Sequence, residues 1–155
     1  RKTNQVDKIE IYTDGAAKGN PGPGGYGVIL RSGRFEKELS QGFYYTTNNR
    51  MELLAVIVGL ETLKKRGNTV SIYSDSKYVV DPINKKWLDQ WQKKSWSKVK
   101  NVDLWKRLLI ALRDQKVTFF WIKGHNEHPE NERCDKLAVM ASKSPTLEDH
   151  GYLKD

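Results

Sequence analysis

The chain has 155 residues, of which 37% are hydrophobic and five are tryptophan, so it is large enough to fold around a buried core and is not a disordered tail. It has no apolar run of membrane-spanning length, residues 1–5 do not form a hydrophobic signal segment, and Cys134 has no second cysteine for an internal disulfide. We therefore expect a single-domain cytoplasmic protein, spanning residues 1–155, without a membrane partner. The net charge of +8, from 27 basic and 19 acidic residues, indicates a polyanionic partner, although charge alone also fits a basic protein that binds none.

Three strands are predicted at the start of the chain. Apolar and alternating runs predict strands over residues 8–14, 25–30 and 35–45, with a turn at 32–34 between the last two. The pair Asp14–Gly15 by itself favours a hairpin turn, but Pro21 and Pro23 follow before the next strand. We therefore expect a long, stiff glycine-rich loop between the first two strands, and an antiparallel meander overall.

Helices and strands alternate in the rest of the chain. Apolar residues at helical spacing predict a helix from Asn48 to Gly67, and a fourth strand covers residues 70–74. Pro82 should interrupt the next helix, which leaves two short helices, the second including Trp87 and Trp91. A helix capped by Asn101, a strand over 117–122 and a helix over 130–142 complete the pattern, and the tail from residue 145 has none. This order predicts an α/β fold with a mixed sheet.

Four acidic residues stand at informative positions in this pattern. Asp14 ends the first predicted strand and Asp75 ends the fourth, while Glu52 lies in the first turns of the long helix and Asp135 lies in the last helix. Each of the last three also has a purely structural interpretation. Glu52 could form a capping box with Asn49, and Asp75 could cap the helix that follows it. Asp135 could be one more charge on a solvated helix face.

Together, the four acids predict a metal site. Ligands gather at the carboxyl ends of adjacent strands in α/β sheets, so Asp14 and Asp75 meet there if their strands are parallel neighbours. A cluster of acids within a basic protein is costly unless a cation binds it, and oxygen ligands suit Mg²⁺ or Mn²⁺ rather than zinc. Two such ions about 3.5–4 Å apart would stabilise both oxygens of an in-line phosphoryl displacement.

Four motifs resemble those of type 1 ribonucleases H, especially the compact bacterial enzymes. They are T-D-G-x-x-x-G-N-P-G-P-G-G-Y-G at 13–27, T-N-N-R-M-E-L at 47–53, Y-S-D-S at 73–76, and K-G-H with H-P-E-N-E-R-C-D within 123–135. The resemblance extends from about residue 6 to residue 152. It implies an endonuclease that hydrolyses the RNA strand of RNA–DNA hybrids with divalent metal and without sequence specificity, leaving 3′-hydroxyl and 5′-phosphate ends. It also implies a five-stranded mixed sheet, with its first three strands antiparallel and helices on both faces.

The same resemblance assigns roles to individual residues. It makes Asp14, Glu52, Asp75 and Asp135 the metal-binding and catalytic acids. His125 matches the catalytic histidine, which is thought to assist proton movement, whereas His128 is expected to be structural. Substrate contacts are expected from a set of small and polar residues, namely Gly15, Asn20, Thr47, Asn48, Asn49 and Lys77. Of these, the Asn20 and Thr47 positions would hold a phosphate of the DNA strand, and Asn48 would contact the minor groove.

A basic, tryptophan-rich segment covers residues 85–100. It contains six lysines and one acid, and like charges at this density repel one another unless a polyanion binds them. The resemblance implies that this segment grips the hybrid through Trp87, Lys93, Lys94 and Trp96, although packing against a neighbouring helix would also explain Trp87. The segment is short for the family. Two further departures are a lysine at 77, where many members have glutamine, and Pro82 in the supporting helix.

Two other functions share parts of this pattern. A two-metal nuclease or strand transferase acting on duplex DNA would have the same kind of fold and acidic site. A non-catalytic module that only binds hybrids would have the basic segment without a need for four acids. The motifs favour a monomeric enzyme that needs no protein partner and acts on RNA–DNA hybrids.

Overall fold

The computed structural model describes residues 8–123 and 128–153, in which five strands form one mixed sheet. The sheet order is β3-β2-β1-β4-β5. Neighbouring strands among the first three are antiparallel, whereas β4 is parallel to both β1 and β5. The predicted fold class is therefore confirmed. The strands are β1 (Lys8–Ala17), β2 (Gly22–Ser32), β3 (Phe35–Thr46), β4 (Thr69–Ser74) and β5 (Lys116–Trp121).

Helices cover both faces of the sheet. The main core lies between the sheet and helices α1, α2 and α4, and includes Ile11, Val28 and Trp105. The alternate residues Tyr12 and Ile29 point to the other face, where they pack with Cys134 of α5. None of the helices in the described ranges combines the length and the apolar character needed to cross a membrane. The helices are α1 (Asn48–Glu61), α2 (Lys77–Asn84), α3 (Trp87–Lys93), α4 (Val102–Leu112), α5 (Pro129–Lys143) and α6 (His150–Leu153).

The glycine-rich stretch is mostly strand, so the prediction of a long loop there is wrong. β1 continues through Asp14 to Ala17, and β2 already begins at Gly22, which leaves residues 18–21 as the connection. Helix α5 packs directly on two of these glycines, Gly25 and Gly27. A Cβ at Gly25 or Gly27 would collide with the backbone of α5. Glycine is a poor strand former by itself, and this helix contact outweighs that preference.

Helix boundaries differ from the predicted ones at two further places. α1 ends at Glu61, before the expected stop at Gly67. At this end of the helix, the Thr62 hydroxyl donates a hydrogen bond to the carbonyl of Val58. α2 continues through Pro82, and the break to α3 falls at residues 85–86, where Lys86 has a φ of 62°. The expected pair of short helices is therefore present. The proline removes one backbone donor but does not end the helix at its own position.

A buried arginine joins the first turn of α1 to the start of α4 and to the C-terminal segment. Arg50 is only 1% exposed, and its guanidinium donates to Asp149 at 2.7 and 2.9 Å and to Asp103 at 2.7 and 2.8 Å. Burial lowers the pKa of Arg50, but the hydrogen bonds to both carboxylates outweigh it and raise the net value. Thr46 also donates to Asp149, at 2.6 Å. The tail, which had no sequence pattern, is therefore part of the fold.

Asn101 precedes α4, as predicted, but it does not cap the helix with its side chain. Its φ is 59°, and its side-chain amide donates instead to the hydroxyl of Tyr78 at 2.8 Å. Its side-chain carbonyl oxygen accepts from Arg50 at 3.2 Å. The asparagine is therefore the N-cap residue by position, as predicted, while its side chain belongs to the network around the buried arginine.

Candidate active site

Asp14 and Asp75 meet where the parallel ladder between β1 and β4 ends. The last register pair of that ladder is Tyr12 with Tyr73, and each aspartate lies two residues beyond it. Glu52 completes the group from the second turn of α1. Carboxylate oxygens of these three acids, one from each, all lie within 4.8 Å of one another.

Gly15 brings Glu52 next to Asp14. A Cβ on Gly15 would overlap the backbone of Met51 and Glu52, so the glycine allows α1 to contact β1 directly. The helix is capped by Thr47, whose hydroxyl accepts from the backbone N–H of Arg50 at 3.2 Å. The alternative in which Glu52 belongs to a capping box is therefore wrong. Glu52 is instead a buried acid, only 7% exposed.

Asp135 reaches the same cavity from α5. The cavity has a volume of about 390 Å³ and is lined by all four predicted acids. Gly27 is the register partner of Asp14, and a Cβ there would collide with the carbonyl of Cys134. The helix therefore lies against the sheet one residue before Asp135. This side chain is exposed, as the solvated-face interpretation requires, yet it faces the other acids. Asp75 does not occupy the cap position of α2, which belongs to Ser76.

Burial and the mutual repulsion of the clustered carboxylates raise the pKa values of Asp14 and Glu52. Burial, the charge of Asp75 and that of Asp135 raise the pKa of Asp14 to about 8, against a smaller opposing effect of the Gly15 backbone N–H. Burial, followed by the charges of Asp14 and Asp75, raises the pKa of Glu52 well above its ordinary value. Within the described residues, the buried Oε1 of Glu52 has no hydrogen-bond partner. An oxygen-only site with repelling acids and an orphaned carboxylate oxygen fits a hard divalent cation.

Four further residues of the cavity wall were missed in the sequence analysis, namely Ala16, Asn131, Glu132 and Lys136. Asn131 is 4% exposed, and its Oδ1 has no hydrogen-bond partner in the described parts of the chain. Lys136 lines the cavity beside Asp135. A usable signal was present for Asn131, because it stands four residues before Asp135 and so lies one helical turn away on the same face. Lys136 carries no comparable signal, since one lysine among many exposed charges is not distinctive.

The predicted histidines fall at the edge of the described structure. His125 lies in residues 124–127, outside the described residues, and its role stays a prediction. His128 occupies the N-cap position of α5 without a side-chain cap bond, and Pro129 follows it as the first helical residue. This placement agrees with a structural role for His128 at the start of the helix.

The small polar residues expected to contact substrate form a continuous surface beside the acids. Asn48 links the two parts of it: its backbone N–H donates to Asn20 Oδ1 at 2.9 Å, and its side-chain amide donates to the carbonyl of Gly15 at 3.3 Å. Gly15 and Asn48 line the acidic cavity. Asn20, Thr47 and Asn49 line a second cavity of about 750 Å³, together with Lys100, Asn101 and Tyr152.

The basic segment has its lysines on the surface and some of its tryptophans packed against the main core. Lys93 and Lys94 are exposed, and Trp87 is 40% exposed with the Lys85 ammonium 5.5 Å from its ring centroid. Trp96 is half-buried and packs against the main core. Packing against the core therefore explains the presence of a tryptophan at position 96, whereas it does not explain the one at position 87.

Comparison with known proteins agrees with this geometry. A family model described as RNase H matches residues 6–143. The ribonuclease H of Desulforamulus reducens is 56% identical over 153 residues, which cover 94% of this chain and 96% of its own length. The ribonuclease H of Proteus mirabilis is 54% identical over 152 residues, covering 95% of this chain and 94% of its own.

Solved structures show the same fold. LC9-RNase H1, described as a type 1 RNase H with the type 2 active-site motif, is 26% identical with a TM-score of 0.82, covering 99% of this chain and 82% of that one. LC11-RNase H1, solved in complex with RNA/DNA hybrid, is 28% identical with a TM-score of 0.66, covering 87% of this chain and 96% of that one. From the match in sequence and fold, the chain belongs to the ribonuclease H family, type 1, and is an enzyme of that family.

Proposed function

We propose that this protein hydrolyses the RNA strand of RNA–DNA hybrids as an endonuclease, leaving 3′-hydroxyl and 5′-phosphate ends, and that it acts as a monomer formed by a single catalytic domain. The observation that carries the proposal is the convergence of three carboxylates, two of them buried, within 4.8 Å at the ends of the neighbouring strands β1 and β4. The complex of LC11-RNase H1 with RNA/DNA hybrid supports the choice of substrate. In this reaction, water attacks phosphorus, its oxygen stays on the 5′-phosphate, and the O3′ leaves with a proton.

The acids would hold two Mg²⁺ ions, for which Mn²⁺ could substitute. Asp14, Glu52 and Asp75 offer oxygens close enough to share an ion, and Asp135 closes the cavity on the α5 side. When bound, the ions supply positive charge to the attacking and leaving oxygens of the displacement. The four acids would hold the ions in place. His125 would carry the proton to or from the reacting oxygens, because imidazole titrates near neutrality.

Strand choice would follow from the surface beside the acids. Gly15 and Asn48, which line the acidic cavity, would contact the 2′-hydroxyls of the strand that is cut. Asn20, Thr47 and Asn49 line the adjoining cavity, where Asn20 and Thr47 would bind a phosphate of the DNA strand. Neither kind of contact depends on which base is present, so cleavage would be independent of sequence.

A cleavage assay with four labelled substrates tests this function. We expect the protein to cut the RNA of an RNA–DNA hybrid in Mg²⁺ and to leave duplex DNA, duplex RNA and single-stranded RNA intact. Chelation of the metal should stop the reaction. Cutting of duplex DNA would point to the other two-metal nucleases, and tight hybrid binding without cleavage in Mg²⁺ or Mn²⁺ would point to a binding module.

The basic segment makes a separate prediction about affinity. Replacing Lys93 and Lys94 with alanine should weaken hybrid binding and reduce the slope of log K against log salt by about one unit per lost phosphate contact. The exposed pair Lys64 and Lys65 is a matched control, because it makes the same charge change after the C-terminal end of α1, whereas Glu52 lies near the N-terminal end. Binding measured from about 50 to 200 mM salt distinguishes the two pairs. An unchanged slope for the Lys93/Lys94 variant would remove these residues from the interface.

A further inference from the structure

Trp121, the last residue of β5, links an exposed lysine to the acid cluster. Its indole Nε1–H donates to the backbone carbonyl of Asp75 at 3.0 Å. The ammonium of Lys77, the first residue of α2, lies 4.6 Å from the centroid of the same ring. Trp121 is 43% exposed and Lys77 is also exposed, so the pair lies at the surface beside the cavity.

The tryptophan restricts both the position and the freedom of the lysine. A cation over an indole face is attracted by the negative charge above the ring, and indole is the strongest of the aromatic side chains in this respect. The hydrogen bond to Asp75 fixes the ring relative to the metal-binding acids. A free lysine would lose rotamer freedom when it bound a ligand, and one already held on a ring loses less.

We propose that Lys77 binds a phosphate of the cleaved strand next to the scissile one, and that Trp121 is the residue that positions it. This inference rests on the proposed function, because it assumes that a nucleic-acid strand crosses the acids. Lys77 lies on the indole ring that is hydrogen-bonded to Asp75, so its ammonium would lie beside the strand that crosses the acids. The surface with Asn20 and Thr47, at the start of α1, would bind the other strand. The ligand is the anionic backbone, so the contact is independent of sequence.

Steady-state kinetics of Lys77→Gln on an RNA–DNA hybrid tests the lysine. We expect KM to rise about three- to tenfold at low salt, as for the loss of one exposed contact between opposite charges, with kcat nearly unchanged. The salt dependence of binding should decrease by about one unit of slope. The control is Lys116→Gln, which makes the same charge change at the opposite end of β5 and should alter neither quantity.

A double-mutant cycle tests the tryptophan. Trp121→Leu should raise KM as much as Lys77→Gln does, and the double variant should be no worse than either single one, because both changes remove one contact. Trp121→Phe keeps a ring but loses the N–H donor, so it should fall between wild type and Trp121→Leu. A merely structural tryptophan would instead lower activity by the same factor whether Lys77 is present or has been replaced. Thermal unfolding of each variant identifies loss of fold.

Three results would overturn the inference. The first is an unchanged KM and salt slope in Lys77→Gln, and the second is additive effects in the cycle. The third is a shift in the Mg²⁺ concentration needed for activity with the same hybrid KM, which would mean that Lys77 acts on the acids and not on the strand. All three presuppose that the wild-type protein cleaves hybrids, so failure of that cleavage is a failure of the proposed function and is seen separately.

Discussion

Replacing Asp14 with asparagine is expected to reduce hydrolysis of the RNA–DNA hybrid at least about a thousandfold, because several kcal/mol of transition-state stabilisation depend on the ions that this acid would hold. Asparagine keeps the size of the side chain, and Asp14 is 6% exposed at the centre of the cluster. Single-turnover rates with saturating enzyme measure the effect on chemistry. Undiminished turnover would exclude Asp14 from the catalytic site.

The same change should make the metal-free protein more stable. The pKa of Asp14 is raised from 3.8 to about 8, so between these pH values the folded chain binds more protons than the unfolded chain. Its stability therefore falls as pH rises through that window. One pKa unit corresponds to about 1.4 kcal/mol. We expect Asp14→Asn to raise the free energy of unfolding by about 2–4 kcal/mol near pH 8, because it removes a charge that burial and the neighbouring carboxylates disfavour. The repulsion between Glu52 and Asp75 remains in this variant.

Chemical denaturation in a metal chelator at pH 5 and pH 8 checks this result. The gain should be larger at pH 8, where wild-type Asp14 is more ionised. Asp114→Asn is a suitable control, since this aspartate is half-exposed and pairs only loosely with Arg66 at 3.6 Å. A gain that is equal at both pH values would show that charge repulsion is not its cause.

Replacing Arg50 with methionine is expected to give the largest loss of stability, about 3–5 kcal/mol, because removing one partner of a buried ion pair leaves the other charges uncompensated. Asp149 is 8% exposed and loses two hydrogen bonds in this variant. Methionine keeps the length of the aliphatic stem. Urea denaturation followed by circular dichroism measures the change.

A matched control isolates the effect of burial. Arg107 makes a similar two-bond contact with Glu61 at 2.6 and 2.8 Å, but both side chains are at least 40% exposed. Arg107→Met should cost less than about 1 kcal/mol. Adding Asp149→Asn to Arg50→Met should restore part of the stability, because it removes the uncompensated charge. Equal losses for the two arginine variants would contradict the role assigned to the buried network.

The sequence predicted a mixed sheet, and it predicted that Asp14 and Asp75 meet on the condition that their strands are parallel neighbours. Asp14 and Asp75 could be placed because each follows an apolar run, and parallel strands bring their ends together. Residues 15–17 and 22–24 could not be recognised as strands. Their glycines resemble a loop by local preference, whereas in the structure Gly15 and Gly24 lie against Met51 of α1, a contact with a helix that follows later in the chain.

Other features depend on contacts that no local pattern carries. Arg50 looks like an ordinary surface arginine in the sequence, and its partner Asp149 is 99 residues away. The pairing of Lys77 with Trp121 likewise requires that β5 lies beside β4. Pro82 indicated an interruption, but its exact place depends on the backbone of Lys86, further along the chain. In each case the deciding contact or conformation lies outside the local pattern.

The spacing of the acids depends on two residues that carry no side chain. Gly15 sets how closely Glu52 approaches Asp14, and Gly27 does the same for the backbone before Asp135. Mg²⁺ requires oxygens at about 2.0–2.1 Å, whereas Ca²⁺ accepts about 2.3–2.6 Å. A single methyl group at either glycine would spread the ligands apart. If the site binds Mg²⁺ as proposed, its selectivity over larger ions would depend on these two glycines as well as on the carboxylates.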